Sequence, residues 1–471
     1  MKNILMISVS AAALALGAPA FAQSQTSTID QTGDANAAVV AQAGNENVSD
    51  IDQDGDNNSA NVDQETNPAG SPTFGTAANN SEINQTGTFN RASVSQDNDN
   101  AAGATNNATI NQFGNGAGAA EENDASITQA GDGNTATTNQ GTSAVDVNTN
   151  SAEVEQDGQL NASTINQLDQ AGGTASVTQL GTGSTSTVTQ TSDGSKATVN
   201  QTNDGNFSSV IQGRSAGNAF QTNGQEALVN QSGLDNQSFV TQEGSSGEVN
   251  VDQSGNDNLS TVNQSGFDNS SGDISSAIVG VNQSGNDNTS TVTQSGQLSE
   301  AFVSQIGNDN TATIGQSVGN APNPPGGPDP RVVVANITQG GDDNTSTITQ
   351  FGGNGTTSAR LMTASSNQSG DDNTSTISQT NSLVTAASSG NSASAIQSGD
   401  ENKSSIVQNG AENSASLTQD GNLNMSEITQ SGFDNSATVS QFSNGNESFV
   451  TQSGNGNSAT VTQGTPPAPP M

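Results

Sequence analysis

The side chains best suited to chemistry in this chain are carboxylates and amides, and both recur at fixed offsets. An aspartate stands four positions after a glutamine at Asp235, Asp257, Asp287 and Asp309, and again at Asp268, Asp343, Asp372 and Asp434. Carboxylate and amide oxygens are calcium ligands, so these acidic columns are candidate Ca²⁺ sites. The alternative is simpler: like charges keep chains soluble and oppose premature β-pairing. With no His and no Cys, catalysis would rest on Asp/Glu pairs or on an activated Ser or Lys. No such group stands out from the background, so no enzyme and no obligatory cofactor is expected.

The amides follow a stricter rule. Gln397, Gln408, Gln419, Gln430, Gln441, Gln452 and Gln463 are each eleven residues apart, and Asn402, Asn413, Asn424, Asn435, Asn446 and Asn457 stand five after each of the first six. Two positions further on is a small residue, Ser404 to Ala459, then an aliphatic one, Ile406 to Val461, then the next Gln. A spacing of two places all four on one face of a β-strand. Upstream the same grammar holds for Gln253, Asn258, Gln264, Gln283, Asn288, Gln294, Gln305 and Asn310. Stacked amides bond donor to acceptor along an axis, so these residues are expected to form an inward amide ladder.

What must position them is therefore a repeat. Glycine two positions after each Gln opens a turn, because it accepts positive φ. Two units, about 22 residues, would make one coil of two facing strands, stacked at about 4.8 Å. The predicted fold is all-β: a cross-β, amyloid-like solenoid of two-strand coils. The period breaks near 65–80, 97–106, 113–124, 141–150, 213–225, 270–280, 317–335, 351–367 and 380–396, and these are read as loops bulging from turns. The longest, 317–335, is a candidate hinge rather than a domain boundary.

Composition alone points elsewhere. Only 28% of the 471 residues are hydrophobic and the formal net charge is −39, values typical of disorder, but disorder gives no reason to keep one parity apolar. Seven basic residues against forty-six acidic ones would repel phosphate backbones, which argues against nucleic acid as a partner. Residues 1–22, with Lys2, an apolar run from Ile4 to Leu16 and small residues before Ala22, read as a cleaved secretory signal. The alternative, a membrane anchor, is too short to span, so no integral membrane protein is expected. Residues 23–464 are read as continuous repeat. The Pro-rich tail, 465–471, is a candidate for blunting one end, the alternative to the preferred reading of an uncapped end that templates another chain.

The pattern Gln-x-Gly-x-x-Asn-x-Ala-x3-Gln, paired into units of about twenty-two residues, resembles the curlin repeat of curli fibre subunits, here with many more repeats. That resemblance implies a functional amyloid of a Gram-negative cell surface, fimbrium or biofilm matrix. It also implies a curli-type nucleator and an outer-membrane export channel as partners, besides the chain itself. Two other readings remain. One is a monomeric acidic adhesin whose insertions bind a partner. The other is ice binding, from the outward triplets Thr185, Thr187, Thr189; Thr289, Thr291, Thr293; and Thr345, Thr347, Thr349. Along the middle triplet's face the array is expected to run only to Thr311 and Thr313 before Gly315 interrupts it. Outward Phe239, Phe302 and Phe449 are candidates for lateral packing.

Overall fold

The computed structural model describes residues 25–465, apart from 45, 67–77, 99–103, 116–122, 142–148, 169–171, 214–223, 246, 268–269, 272–279, 298, 319–332, 353–361 and 382–389. The proposed signal, the proline tail beyond residue 465 and most of the 317–335 stretch lie outside the described residues. Every regular element described is a β-strand, and every strand pair is parallel. The contacts divide the chain into two units, up to residue 212 and from 213 onward.

In each unit, successive strands alternate between two parallel sheets, so a strand pairs with the next but one. In the first unit Thr26–Thr32 pairs with Val48–Asp54, and Ala37–Ala43 with Ser59–Thr66. In the second, Met425–Phe433 pairs with Glu447–Asn455, and Ser436–Gln441 with Ser458–Gln463. Where nothing is inserted the offset is one coil, as in Thr26 opposite Val48. Where residues are inserted the register still returns in phase: Thr311 faces Thr345, and Gln316 faces Gln350. The fold is a β-solenoid, and its sheets do not close into a barrel. Ser270–Ser271 and Val281–Asn286 both pair with Glu248–Asn256, filling one strand position between them. The interruption at 270–280 therefore falls within a strand line and not, as expected, at a turn.

The repeat's small residue separates the two sheets. In one it is mostly serine, as in Ser238, Ser260, Ser290, Ser346 and Ser375; in the other mostly alanine, as in Ala301, Ala335, Ala364, Ala393 and Ala415. We call them the serine and alanine sheets. Both face a core of stacked aliphatics, including Val262, Val292, Ile314 and Ile348 on the serine sheet and Val251, Val281, Val303 and Ile337 on the other, all at most 1% exposed. The serine hydroxyls at 238, 260, 290, 346 and 375 are buried without a hydrogen-bond partner. Such a group costs about 1–3 kcal/mol. Ala312 occupies the same column between Ser290 and Ser346, so the packing does not require the hydroxyl.

The two edges of the second unit also differ. The chain passes from the alanine sheet to the serine sheet by short Gly-x-x-Asn turns: Gly255–Asn258, Gly285–Asn288, Gly307–Asn310, Gly341–Asn344, Gly370–Asn373 and Gly399–Asn402. From the serine sheet to the alanine sheet the described strands stand further apart in sequence, as Thr311–Val318 from Val333–Gly340, Thr345–Gly352 from Met362–Ser369 and Thr374–Asn381 from Ser392–Ser398.

Candidate functional site: the amide ladders and their turns

Glutamine ends each repeat facing inward, where its amide has two tasks. On the alanine sheet of the second unit, Nε2 of Gln231, Gln253, Gln283, Gln305, Gln339, Gln368, Gln397, Gln419 and Gln441 each donates to Oε1 of the next Gln, ending at Gln463, over 2.8–3.0 Å. The serine sheet carries a matching column from Gln242 through Gln264, Gln294, Gln316, Gln350, Gln379, Gln408 and Gln430 to Gln452. The first unit has its own columns, beginning Gln31 to Gln53 and Gln42 to Gln64. The same amide also reaches backbone on the facing sheet. Gln253 Nε2 donates to the Gln237 carbonyl at 3.0 Å, as Gln283 does to that of Leu259 at 3.1 Å. Glutamine thus ties coil to coil and sheet to sheet.

Asparagine closes the turns with bonds in both directions. The backbone N–H of Asn258, Asn288 and Asn310 donates back to Oδ1 of Asn236, Asn258 and Asn288, each at 3.1 Å. Their Nδ2 groups donate forward to the carbonyls of Gly285, Gly307 and Gly341. On the other edge Asn413, Asn435 and Asn457 repeat this upon Asn391, Asn413 and Asn435, and Asn424 and Asn446 continue the first column. Gln253, Gln264, Gln283, Gln294, Gln305, Gln408, Gln419, Gln430, Gln441 and Gln452 are buried, as are Asn258, Asn288, Asn310, Asn413, Asn424 and Asn435. At the last coil Asn446 and Gln463 are half-buried and Asn457 is exposed.

The acidic columns stand at a left-handed backbone position, which Ala35, Asn57 and Leu423 occupy in other turns. Asp235, Asp257, Asp287 and Asp309 have φ of 55–57°, the left-handed region that Asp and Asn tolerate best after glycine. Among the described residues no group of three or more acidic side chains is placed to hold a metal ion. The preceding position holds a third ladder that was not expected from the sequence. The backbone N–H of Asn308, Asp342, Asp371 and Asp400 donates to Oδ1 of Asp342, Asp371, Asp400 and Asn422, over 2.8–3.1 Å. The signal for it is an Asn or Asp three positions after Gln in each of these turns. Partial desolvation in the stacked turn, and then the carboxylates of Asp309, Asp372, Asp342 and Asp371, hold the Asp343 carboxyl above its ordinary value. Its exposure keeps that effect small.

The threonine face runs further than expected. Thr289, Thr311, Thr345 and Thr374 form one column, and Thr291, Thr313, Thr347 and Thr376 a second, both passing the residues inserted before Val333. Gly315 interrupts only the third column, between Thr293 and Thr349. Phe239 and Phe449 are exposed, and Phe302 is half-buried.

The family model of the curlin associated repeat matches residues 26–55, 255–296, 285–317, 405–432 and 432–464. The chain carries curlin repeats. The matched segments lie in both units and include the first and last coils. Each matched segment spans more than one strand with its turns, as residues 26–55 cover Thr26–Thr32, Ala37–Ala43 and Val48–Asp54. No curated protein matches the chain. Among the described residues no helix is long and apolar enough to cross a membrane.

Proposed function

We propose that the chain is a secreted structural protein: a self-assembling, curli-like amyloid fibre subunit of an extracellular matrix, acting in adhesion. One observation carries this reading. Side chains that interior coils bury are uncovered at the first and last coils. Ile29, Val40 and Gln42 are half-buried and Gln31 is exposed, as Val461 and Gln463 are half-buried at the other end. The equivalent Ile51, Val62, Gln53 and Gln64 one coil inward are fully buried. An open parallel edge with a complete inward face is a template for another strand. The curlin repeats support the same reading, and a curli-type nucleator and export channel would be its partners. The acidic surface fits a chain that stays apart until nucleated.

The test is thioflavin T fluorescence of the mature chain against concentration, with fibre diffraction on the product. A lag abolished by seeds and a reflection near 4.7–4.8 Å are expected. A β-rich species that stays monomeric at every concentration would overturn assembly and leave a monomeric adhesin.

A further inference from the structure

The outward faces of the second unit carry a contrast that strand formation alone does not explain. On the serine sheet, successive strands place threonine in two adjoining outward columns, Thr289 to Thr374 and Thr291 to Thr376. Threonine suits a strand, yet the alanine sheet meets the same need in the same coils with mixed residues. There Glu300, Val334 and Thr363 share one outward column, and Phe302, Asn336 and Ser365 the next. Beside the threonines the third column holds Thr293, Gly315, Thr349 and Ser378. These three columns therefore carry no charge, although the chain has forty-six acidic residues. The face ends where Leu259 precedes Thr289 and Lys403 follows Thr374.

The two threonine columns form a mesh. Rungs repeat at about 4.8 Å along the axis, and alternate residues of a strand at about 6.6–6.8 Å across it. Every member is half-buried or exposed. Among the described residues their hydroxyls have no partner within the chain. On the opposite face, by contrast, Thr363 Oγ1 donates to Ser392 Oγ at 3.2 Å. Because χ1 of threonine is restricted, a column of threonines on one backbone conformation repeats its hydroxyls at the rung spacing. Each hydroxyl offers water one donor and two lone pairs, and the methyls between them order the water alongside. Oxygens on the prism faces of ice repeat on a mesh of nearly this size and shape.

We propose that this threonine face binds ice, holding a layer of water that matches the crystal lattice. The absence of charge on the face fits that role, since an ionic group would impose its own hydration shell on the layer. The face lies along the side of the coils, so stacking further coils neither covers nor completes it. The proposal therefore does not depend on the assembly reading above.

Ice affinity of the soluble mature chain tests it, read as uptake into a slowly grown ice hemisphere and as inhibition of ice recrystallisation. Thr313→Lys with Thr347→Lys charges the centre of the face. Asn336→Lys with Ser365→Lys adds the same charge to the opposite face, where those residues are likewise neighbours. The wild type and the opposite-face variant are expected to enter the ice and to restrain recrystallisation. The threonine-face variant is expected to be excluded and to lose the inhibition. Circular dichroism verifies that both variants keep their strands, and Thr347→Tyr, which retains a strand former but breaks the mesh, serves where the double variant does not fold. A wild type excluded from ice, a threonine-face variant that still enters it, or equal loss in both variants would overturn the proposal. A chain that enters ice but never forms fibres would overturn the assembly reading and leave this one standing.

Discussion

Gln283→Leu is expected to destabilise the second unit by about 1–3 kcal/mol, since it leaves the buried Gln305 oxygen unsatisfied. Gln283 accepts from Gln253 at 2.8 Å and donates to Gln305 at 2.9 Å, and all three are fully buried. Leucine fills similar space but ends both bonds; Gln253 Nε2 keeps the Gln237 and Asn258 carbonyls, whereas Gln305 Oε1 loses its donor. The substitution also removes the bonds to the Leu259 and Asn288 carbonyls. Because stability in a solenoid is set coil by coil, the loss should be local. Hydrogen exchange should show lost amide protection in Glu248–Asn256, Val281–Asn286 and Ser299–Ile306, with strands several coils away protected as before. Unchanged protection at these three strands would mean that the ladder contributes little to stability.

Gly285→Ala is expected to be at least as severe. Gly285 has φ of 115°, a conformation that costs a residue with a Cβ about 1–3 kcal/mol. The added methyl would also overlap the backbone carbonyl of Gly307 in the adjacent coil, an obstacle that cannot rotate away. The two penalties add, and the urea midpoint of unfolding should fall accordingly. Gly315→Ala is the internal control. Gly315 has no positive φ, and a methyl added there would meet nothing within 4 Å, so that substitution should be neutral or slightly stabilising. Equal effects at the two glycines would show that the turn does not depend on close coil stacking.

Much of this is legible in the sequence, because the information lies in a period. A parity of two states the strand, a glycine and an asparagine at fixed offsets state the turn, and eleven residues repeated twice state the coil. What stays hidden needs three-dimensional register. The array at Thr289 ends at Gly315 when the chain is followed linearly, since thirty-four residues separate Thr313 from Thr347, yet in space they are neighbours. The division into serine and alanine sheets is written in the alternation of Ser404, Ala415, Ser426 and Ala437, but only strand pairing says that each kind stacks on its own. Asp257 and Asp287 suggest ligands or solubilising charge when only their side chains are considered. The left-handed backbone that Asp tolerates at this position is invisible until the turn is built. The interruption at 270–280 suggests a turn because a break in the period carries no sign of which rung it splits.

The central claim is that coils stack in register across the inserted residues, and a disulfide tests it most directly. The chain contains no Cys, so a pair introduced at Thr313 and Thr347 is the only thiol pair present. Parallel neighbours about 4.8 Å apart lie within the Cα separation of about 4.4–6.8 Å that a disulfide spans. Under mild oxidation of the dilute chain, Thr313→Cys with Thr347→Cys should close within the monomer, whereas the offset pair at Thr313 and Thr338, on facing sheets with outward side chains, should stay reduced. Closure of the offset pair instead, or cross-links only between molecules, would contradict the stacked, in-register solenoid.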